Sequence, residues 1–281
     1  MTVLWVSERS DSVVSEVVTP NGNVIVKQHR PEADLVRTAA VRARFEHQTL
    51  TMLHAALPQT YSVPRALDLD EAGGKLVIER AGGTALDVLI RDGKRQRGGA
   101  ELLAPHLQRT GRWLREMQNA TRNANADGRA VLRAQVEPAL GHADSDRVRN
   151  RLRELEARVA ARPLVVCGHH GDYWPGNVFA DAARMQVIDF EGYREGLPLE
   201  DVAYFLLQVE LLLPRHRRIL PRLRAAFLEG YGGVEDEDAL KLFTLTKTLH
   251  LIARNAGAKH SFLLRWWMRR TLRNVVNGCL R

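Results

Sequence analysis

The first 80 residues alternate apolar and polar positions over short stretches, a pattern that is typical of β-strands. The pair Asn21-Gly22 lies between two of these stretches and predicts a tight hairpin turn. Another two stretches are separated by residues 71–74, which include two glycines. The predicted strands cover residues 3–6, 13–18, 24–27, 66–70 and 75–79.

Apolar residues recur at helical spacing in most of the remaining chain. Between residues 34 and 57, Phe45, Leu50 and Leu53 fall on one side of a predicted helix that ends before Pro58. Beyond residues 81–83 the pattern predicts helices over residues 101–118 and 145–161, and loops over residues 93–99 and 119–128. We therefore expect an α+β chain in two parts. Residues 1–82 form a small antiparallel β-sheet with one helix, and residues 83–281 are mainly α-helical.

One short β-rich segment interrupts the helical part. Residues 164–167 are predicted to form a buried strand, and residues 168–176 form a loop that is rich in polar and turn-forming residues. A hairpin follows, with its turn centred on Ala183. This centring places Asn177 opposite Asp189 at one end of the ladder, and Asp172 on the loop that leads to the same end.

Two carboxylates and an amide oxygen gathered in this way suit a hard cation such as Mg²⁺. A carboxylate without a metal to bind could orient a hydroxyl group and take its proton, which is a requirement of phosphoryl transfer. The alternative is that Asp172 and Asn177 only cap turns, a common role for these residue types.

Composition narrows the choice of protein class. The 281 residues are 45% hydrophobic and 26% charged, as in folded globular proteins, and only two are cysteines. This count excludes a disulfide scaffold and a four-cysteine zinc site. The N-terminus lacks the pattern of a signal peptide, and the apolar run at 202–213 is too short to span a bilayer. We expect a cytoplasmic protein.

The net charge of +8 is concentrated near the C-terminus. Residues 214–281 hold fourteen Lys and Arg but five Asp and Glu, and four of these five lie at 235–238, where a helix is predicted to begin near Ala239. Arg265, Arg269 and Arg273 recur at four-residue spacing. This stripe is either a solvated helix surface or a contact for an anionic partner, such as the inner face of a membrane. No nucleic-acid-binding motif accompanies the charge, so nucleic acid is not an expected partner.

Residues 170–177 (His-Gly-Asp-Tyr-Trp-Pro-Gly-Asn) and 188–191 (Ile-Asp-Phe-Glu) resemble the catalytic and metal-binding motifs of the aminoglycoside phosphotransferase and choline-kinase-like family. This family has the bilobal fold of the protein kinases. The resemblance implies that Asp172 orients the acceptor hydroxyl and takes its proton, and that Asn177 and Asp189 hold Mg²⁺ against the phosphates of ATP. It also implies a structural role for His170.

The resemblance extends over most of the chain. It implies that Lys27 contacts the α- and β-phosphates while paired with Glu46, and that residues 76–81, including Glu79 and Ala81, meet adenine. Residues 198–203 resemble the start of the helix whose aspartate, here Asp201, braces the catalytic loop.

Two departures from related motifs affect the interpretation. The segment that should cover the phosphates, residues 7–12, has no glycine; Ser10 and Ser12 could contact phosphate, whereas Glu8 and Asp11 would repel it. Trp174 stands where Ser/Thr protein kinases have a lysine, which favours a small-molecule acceptor.

The sequence thus predicts a kinase that uses ATP and Mg²⁺ to phosphorylate a hydroxyl of a sugar, amino sugar, amino alcohol or glycolipid precursor. One hypothesis is that this acceptor is anionic or lipid-linked. The main alternative is an inactive nucleotide-binding scaffold on the same fold. A metal hydrolase using His169, His170 and Asp172 is disfavoured, because adjacent residues on an extended loop point apart.

Overall fold

The computed structural model describes residues 2–8, 11–20, 22–31, 37–213, 216, 218–256 and 262–280, with side chains at all of these except 255–256 and 262–269. In chain order the strands are β1 (Thr2–Glu8), β2 (Ser12–Thr19), β3 (Gly22–His29), β4 (Tyr61–Ser62), β5 (Ala66–Asp70), β6 (Lys75–Glu79), β7 (Thr84–Ala85), β8 (Cys167–His169), β9 (Val178–Ala180), β10 (Met185–Val187) and β11 (Arg194–Gly196). The helices are α1 (Ala39–Ala56), α2 (Leu86–Gly93), α3 (Gly99–Ala120), α4 (Gly128–His142), α5 (Asp146–Ala160), α6 (Leu199–Leu212), α7 (Leu220–Tyr231), α8 (Glu237–Ala256) and α9 (Phe262–Cys279). Short 3-10 turns cover Pro175–Asn177 and Phe190–Gly192.

The chain forms two compact units, and the expected α+β architecture is confirmed. The first unit comprises Met1–Ala85 and Asn177–Tyr193, and the second comprises Leu86–Gly176 and Arg194–Arg281. The division near Ala85 lies three residues beyond the expected one. The segment Asn177–Tyr193 was expected in the helical part but belongs to the first unit, because β9 pairs with β7 and β10 pairs with β4.

A five-stranded antiparallel sheet in the order β1-β2-β3-β6-β5 dominates the first unit. Lys27 on β3 lies opposite Val14 on β2 and Leu76 on β6. Helix α1 packs against this sheet with a buried side that includes Leu50 and Leu53. The helix begins after Thr38, whose side-chain oxygen accepts the N–H of Val41 at 3.3 Å. The part of the predicted helix at 34–36 lies outside the described residues.

The expected register of the hairpin β9–β10 is wrong by one residue. Met185 pairs with Ala180 and Val187 pairs with Val178, so Asn177 faces Ile188 rather than Asp189. The cause is the turn: the N–H of Asp181 donates to the carbonyl of Arg184, and this closure leaves a two-residue loop. A two-residue loop centres the hairpin between residues 182 and 183.

A buried arginine ties three segments of the first unit together. Arg42 on α1 is 1% exposed, and its guanidinium donates to the carbonyl oxygens of Arg30 and Asp11, both at 3.2 Å. The same group forms an ion pair with Glu191. Because these acceptors lie after β3, before β2 and after β10, one side chain fixes all three segments to α1.

The second unit is mainly helical, with a core that includes Trp113, Tyr173, Phe205 and Phe227. Its short strand β8 pairs with β11 through Cys167–His169, which corrects the strand expected at 164–167. The expected strand fails because Val166 makes only an isolated bridge to Asn123 and Val165 is exposed.

Helices α8 and α9 account for the basic C-terminal region. Helix α8 begins at Glu237, two residues before the expected start, and Asp236 accepts the N–H of Ala239 at 2.9 Å. On α9, Arg273 is exposed and Leu272 is buried, whereas the side chains of Arg265 and Arg269 lie outside the described part. Within the described residues, no helix has both the length and the apolar character needed to cross a bilayer.

Replacing Arg42 by Met removes the buried guanidinium and leaves Glu191 and two carbonyl groups without this donor. We expect the free energy of unfolding, measured by urea titration, to fall by about 3–5 kcal/mol, the usual effect of breaking a buried ion pair.

The matched control is Arg44→Met on the same helix. Arg44 pairs with Glu71 at 3.0 Å, but both side chains are about half exposed, so the loss should be about 0–1 kcal/mol. Equal losses in the two variants would show that Arg42 does not act as the tie described here.

Candidate functional site

The ammonium group of Lys27 is surrounded by carboxylates inside the first unit. Its Nζ lies 2.8 Å from Glu46 Oε2, 2.7 Å from Asp189 Oδ1 and 3.6 Å from Glu191 Oε2, and the side chain is 7% exposed. Burial alone would lower the pKa of Lys27, but the carboxylates of Glu46 and Asp189 outweigh it and raise the pKa above its ordinary value. The predicted Lys27–Glu46 pair is therefore present, and the lysine stays charged.

His29 completes this charged cluster. Its Nε2 lies 3.4 Å from Glu46 and its Nδ1 lies 3.7 Å from Glu191, while the ring is fully buried. Among the described residues, His29, Glu46 and Glu191 form the group of potential metal ligands close enough to share an ion. However, the Lys27 ammonium already contacts Glu46, so this group holds a side-chain cation.

Asp189 adopts an unusual backbone conformation directly after β10. Its φ of 71° is the one positive value at a non-glycine position within the described residues, a conformation that strain makes uncommon. The N–H of Ile188 donates to the carbonyl of Asn177 at 3.0 Å, so Asn177 and Asp189 lie at the same end of the hairpin despite the corrected register. Carboxylate and amide oxygens are donors that suit Mg²⁺, and these two residues fit a magnesium ion by their chemistry.

The loop that carries Asp172 is held by Asp201, at the start of α6. Asp201 accepts the N–H of His170 at 2.7 Å and that of Gly171 at 3.3 Å, and lies 2.9 Å from His169 Nε2. Burial would raise the pKa of Asp201, but His169 and these hydrogen bonds lower it to about 2. The bracing role expected for Asp201 is confirmed.

His170 supports the same loop from inside. It is fully buried, and its Nδ1 accepts the N–H of Asp172 at 3.2 Å. The neighbouring His169 faces Asp201 and, at 3.4 Å, Glu200. Each imidazole is thus engaged by different protein groups, an arrangement that supports the loop and does not resemble a shared metal site.

Sequence reasoning missed Tyr204, which contacts Asp172 directly. The Tyr204 hydroxyl donates to Asp172 Oδ1 at 2.8 Å. Burial, together with the negative charge of Asp172, raises the pKa of Tyr204 well above its ordinary value, so the hydroxyl keeps its proton and remains a donor. Its position three residues after Asp201 on α6 was the available signal, because residues three apart share a helix face.

The remaining predicted nucleotide contacts occupy varied positions in the first unit. Ser12 is buried at the start of β2 and donates to Asp11 Oδ1 at 3.1 Å, while Ser10 lies outside the described residues. The Glu79 carboxylate pairs with Arg65 at 3.1 Å, and its backbone N–H donates to the Arg65 carbonyl. Ala81 is buried after β6. The side chain of Glu79 therefore pairs with the residue just before the edge strand β5.

A family model described as "Phosphotransferase enzyme family" matches residues 6–243. No curated protein sequence matches the chain.

Several solved structures share the fold over almost the whole chain. A choline/ethanolamine kinase family protein from Mesorhizobium loti is 16% identical, with a TM-score of 0.60 over 99% of this chain and 87% of that one. Choline kinase LicA from Streptococcus pneumoniae is 14% identical, with a TM-score of 0.63 over 99% and 94%. A thermostable mutant of aminoglycoside phosphotransferase APH(4)-Ia, in complex with AMP-PNP and hygromycin B, is 17% identical, with a TM-score of 0.66 over 99% and 95%.

The TM-scores and the coverage establish a shared protein-kinase-like fold, and the family match covers most of the sequence. The resemblance inferred from residues 170–177 and 188–191 is confirmed: the chain belongs to the phosphotransferase enzyme family.

Proposed function

We propose that the protein transfers the γ-phosphoryl group of ATP to a hydroxyl of a small molecule, with Mg²⁺ as the metal. The observation that carries this proposal is the buried Lys27 ammonium between Glu46 and Asp189. Phosphoryl transfer needs fixed positive charge next to the phosphates, because catalysis acts mainly through positioning and charge neutralisation. A charged lysine held by two carboxylates supplies this charge in a defined place.

The site residues of the first unit then have the following roles. Lys27 contacts the α- and β-phosphates, Glu46 keeps its side chain in place, and Asn177 and Asp189 bind the metal through oxygen atoms. When bound, Mg²⁺ neutralises phosphate charge and orients the terminal phosphoryl group. Arg42 is a positioning residue, because it holds Glu191 and the segment before β2.

Asp172 accepts the proton of the acceptor hydroxyl. As the hydroxyl oxygen bonds to the γ-phosphorus, the bond from that phosphorus to the β–γ bridging oxygen breaks and ADP leaves. The Tyr204 hydroxyl, donating to Oδ1, fixes the orientation of the carboxylate. Asp201 and His170 keep the loop in position through three backbone N–H groups.

Family membership and the relatives' named ligands support the proposed acceptor class. The structures with a similar fold include choline kinase LicA and an aminoglycoside phosphotransferase in complex with hygromycin B. A sugar, amino sugar, amino alcohol or glycolipid precursor remains the proposed range. We also propose that Ser12 contacts phosphate and that backbone atoms of Glu79 and Ala81 contact adenine. A cytoplasmic location and a peripheral contact with a membrane are further proposals.

An inactive nucleotide-binding scaffold is the second candidate, and the segment between β1 and β2 favours it. That segment has no glycine and includes Asp11, whose charge would oppose phosphate. The ion pair between Glu8 and Arg30 at 2.9 Å offsets part of this negative charge. Turnover of ATP in the presence of Mg²⁺ separates the two candidates.

Asp172→Asn removes the proton acceptor but keeps the shape of the side chain. We expect kcat for ADP release to fall by about 10²–10⁴-fold, the usual contribution of general base catalysis, while the Kd for Mg-ATP stays within about threefold. A coupled ADP-release assay and calorimetric titration measure the two quantities. Asp144→Asn, at an exposed position, is the control and should match the original protein. Unchanged turnover in Asp172→Asn would exclude this residue as the base.

Lys27→Met removes the buried ammonium. We expect kcat/KM for Mg-ATP to fall by about 10–100-fold, because a hydrogen bond to a charged group contributes about 1.5–3 kcal/mol. Steady-state kinetics with varied ATP measures this change. Lys75→Met on β6 is the control, since Lys75 is exposed at 41% and should leave the constant unaltered. Equal kinetics of the two variants would contradict the role of Lys27.

A further inference from the structure

Helix α8 borders the Asp172–Tyr204 pair with one side. Lys247, Leu251 and Arg254 recur at spacings of four and three residues, so they share a helix face. Lys247 Nζ lies 5.7 Å from the centre of the Tyr204 ring, and Leu251 packs in one apolar cluster with Tyr204. Arg254, the next position along this face, places its positive charge close enough to act on the Tyr204 hydroxyl. That hydroxyl is the group bound to Asp172.

The two cations on this face differ in their partners. Lys247 is neutralised by Glu200, whose Oε1 lies 2.5 Å from its Nζ. Arg254 is exposed and makes no hydrogen bond or ion pair with any residue in the described part of the chain. A guanidinium that has no carboxylate partner among the described residues, and that lies on the face next to Tyr204, is available to a ligand.

The nearby carboxylates have partners of their own. Glu200 also pairs with Arg194 at 2.6 Å, and Asp201 is engaged by His169 and by backbone N–H groups. Burial would raise the pKa of Glu200, but His169, Lys247 and Arg194 lower it to about 2. These two acidic side chains are therefore balanced by the protein itself.

The composition of the C-terminal helices points in the same direction. From Ala239 to Arg281 the sequence has nine Lys and Arg and no Asp or Glu. This stretch includes α9 and all of α8 except its first two residues, Glu237 and Asp238. Leu251 and Leu272 from these helices pack in the cluster that contains Tyr204. From Ala239 onward, α8 and α9 thus add positive charge and no carboxylate next to Tyr204.

We propose that the acceptor carries an anionic group, a carboxylate or a phosphate, and that Arg254 binds this group while Asp172 receives the hydroxyl proton. The inference rests on the proposed kinase function and adds the charge class of the acceptor. A guanidinium suits both anions, because its planar donors match two oxygens at once. A cation is also required on electrostatic grounds, since an anionic acceptor would otherwise be repelled by Asp172.

Two series of acceptors test the proposal, and the members of each series are similar in size but differ in charge. The six-carbon series is glucuronate, glucose 6-phosphate, glucose and glucosamine, and the three-carbon series is glycerate, glycerol 3-phosphate, glycerol and 2-aminopropane-1,3-diol. ADP release gives kcat/KM for each compound, and the shift in Tm with ADP and Mg²⁺ present gives the order of binding. We expect an anionic member to exceed the neutral one by at least about tenfold in kcat/KM, with the amine weakest, and the two anions show which oxyanion is preferred.

Arg254→Ala should remove this preference mainly through a rise in KM of about 10–100-fold for the anionic member, and Arg254→Lys should restore part of it. The control is Lys241→Ala, which removes one positive charge from the same helix. At a rise of 1.5 Å per residue, Lys241 lies about 20 Å from Arg254 along α8, so this variant should keep the preference.

Equal Tm shifts across the charges in both series, or a preference for the amine, would overturn the inference. An anionic preference that survives in Arg254→Ala would overturn the assignment to this residue. Absence of ATP turnover with every acceptor and with water would instead contradict the proposed kinase function, and the order of Tm shifts would still decide the charge class.

Discussion

The arrangement of the first unit depends on the buried ammonium of Lys27. Three carboxylates, Glu46, Asp189 and Glu191, lie within 3.6 Å of it, and they could not be buried together without a cation. Arg42 adds the second fixed positive charge through Glu191. A sheet, a helix and the turn after β10 are thereby joined through their charges. In the proposed reaction, Mg²⁺ would supply a cation for Asp189, and the phosphates of ATP would supply an anion for the Lys27 ammonium.

The second unit holds Asp172 on a loop with a defined geometry. The loop is fixed by hydrogen bonds from backbone N–H groups to the side chains of Asp201 and His170, both of which are buried. Tyr204 then orients the carboxylate of Asp172 from α6. Helix α8 also contacts Tyr204, through Lys247 and Leu251. In the proposed binding of the acceptor, Tyr204 would therefore link the support of the loop to the choice of acceptor.

Local patterns predicted much of this molecule. The strands β5 and β6 were predicted with the bounds observed, because alternation and a glycine turn define a hairpin locally. The motif around Asp172 and the Lys27–Glu46 pair followed from family resemblance. In contrast, the hairpin register depended on the turn closed by Asp181, and a difference of one residue changed the partner of Asn177. Arg42 and Tyr204 were missed because their roles come from partners 149 and 32 residues away. The local signal for Tyr204 was its spacing from Asp201, and this spacing does not identify Asp172 as its partner.

A crystal structure of the protein with AMP-PNP and Mg²⁺ tests the proposed roles of Lys27, Asn177 and Asp189 together. We expect Mg²⁺ about 2.1 Å from oxygen atoms of both Asn177 and Asp189, with Lys27 in contact with phosphate oxygens while its bond to Glu46 persists. A nucleotide bound without contact to Lys27, or a metal held by residues other than Asn177 and Asp189, would contradict these roles.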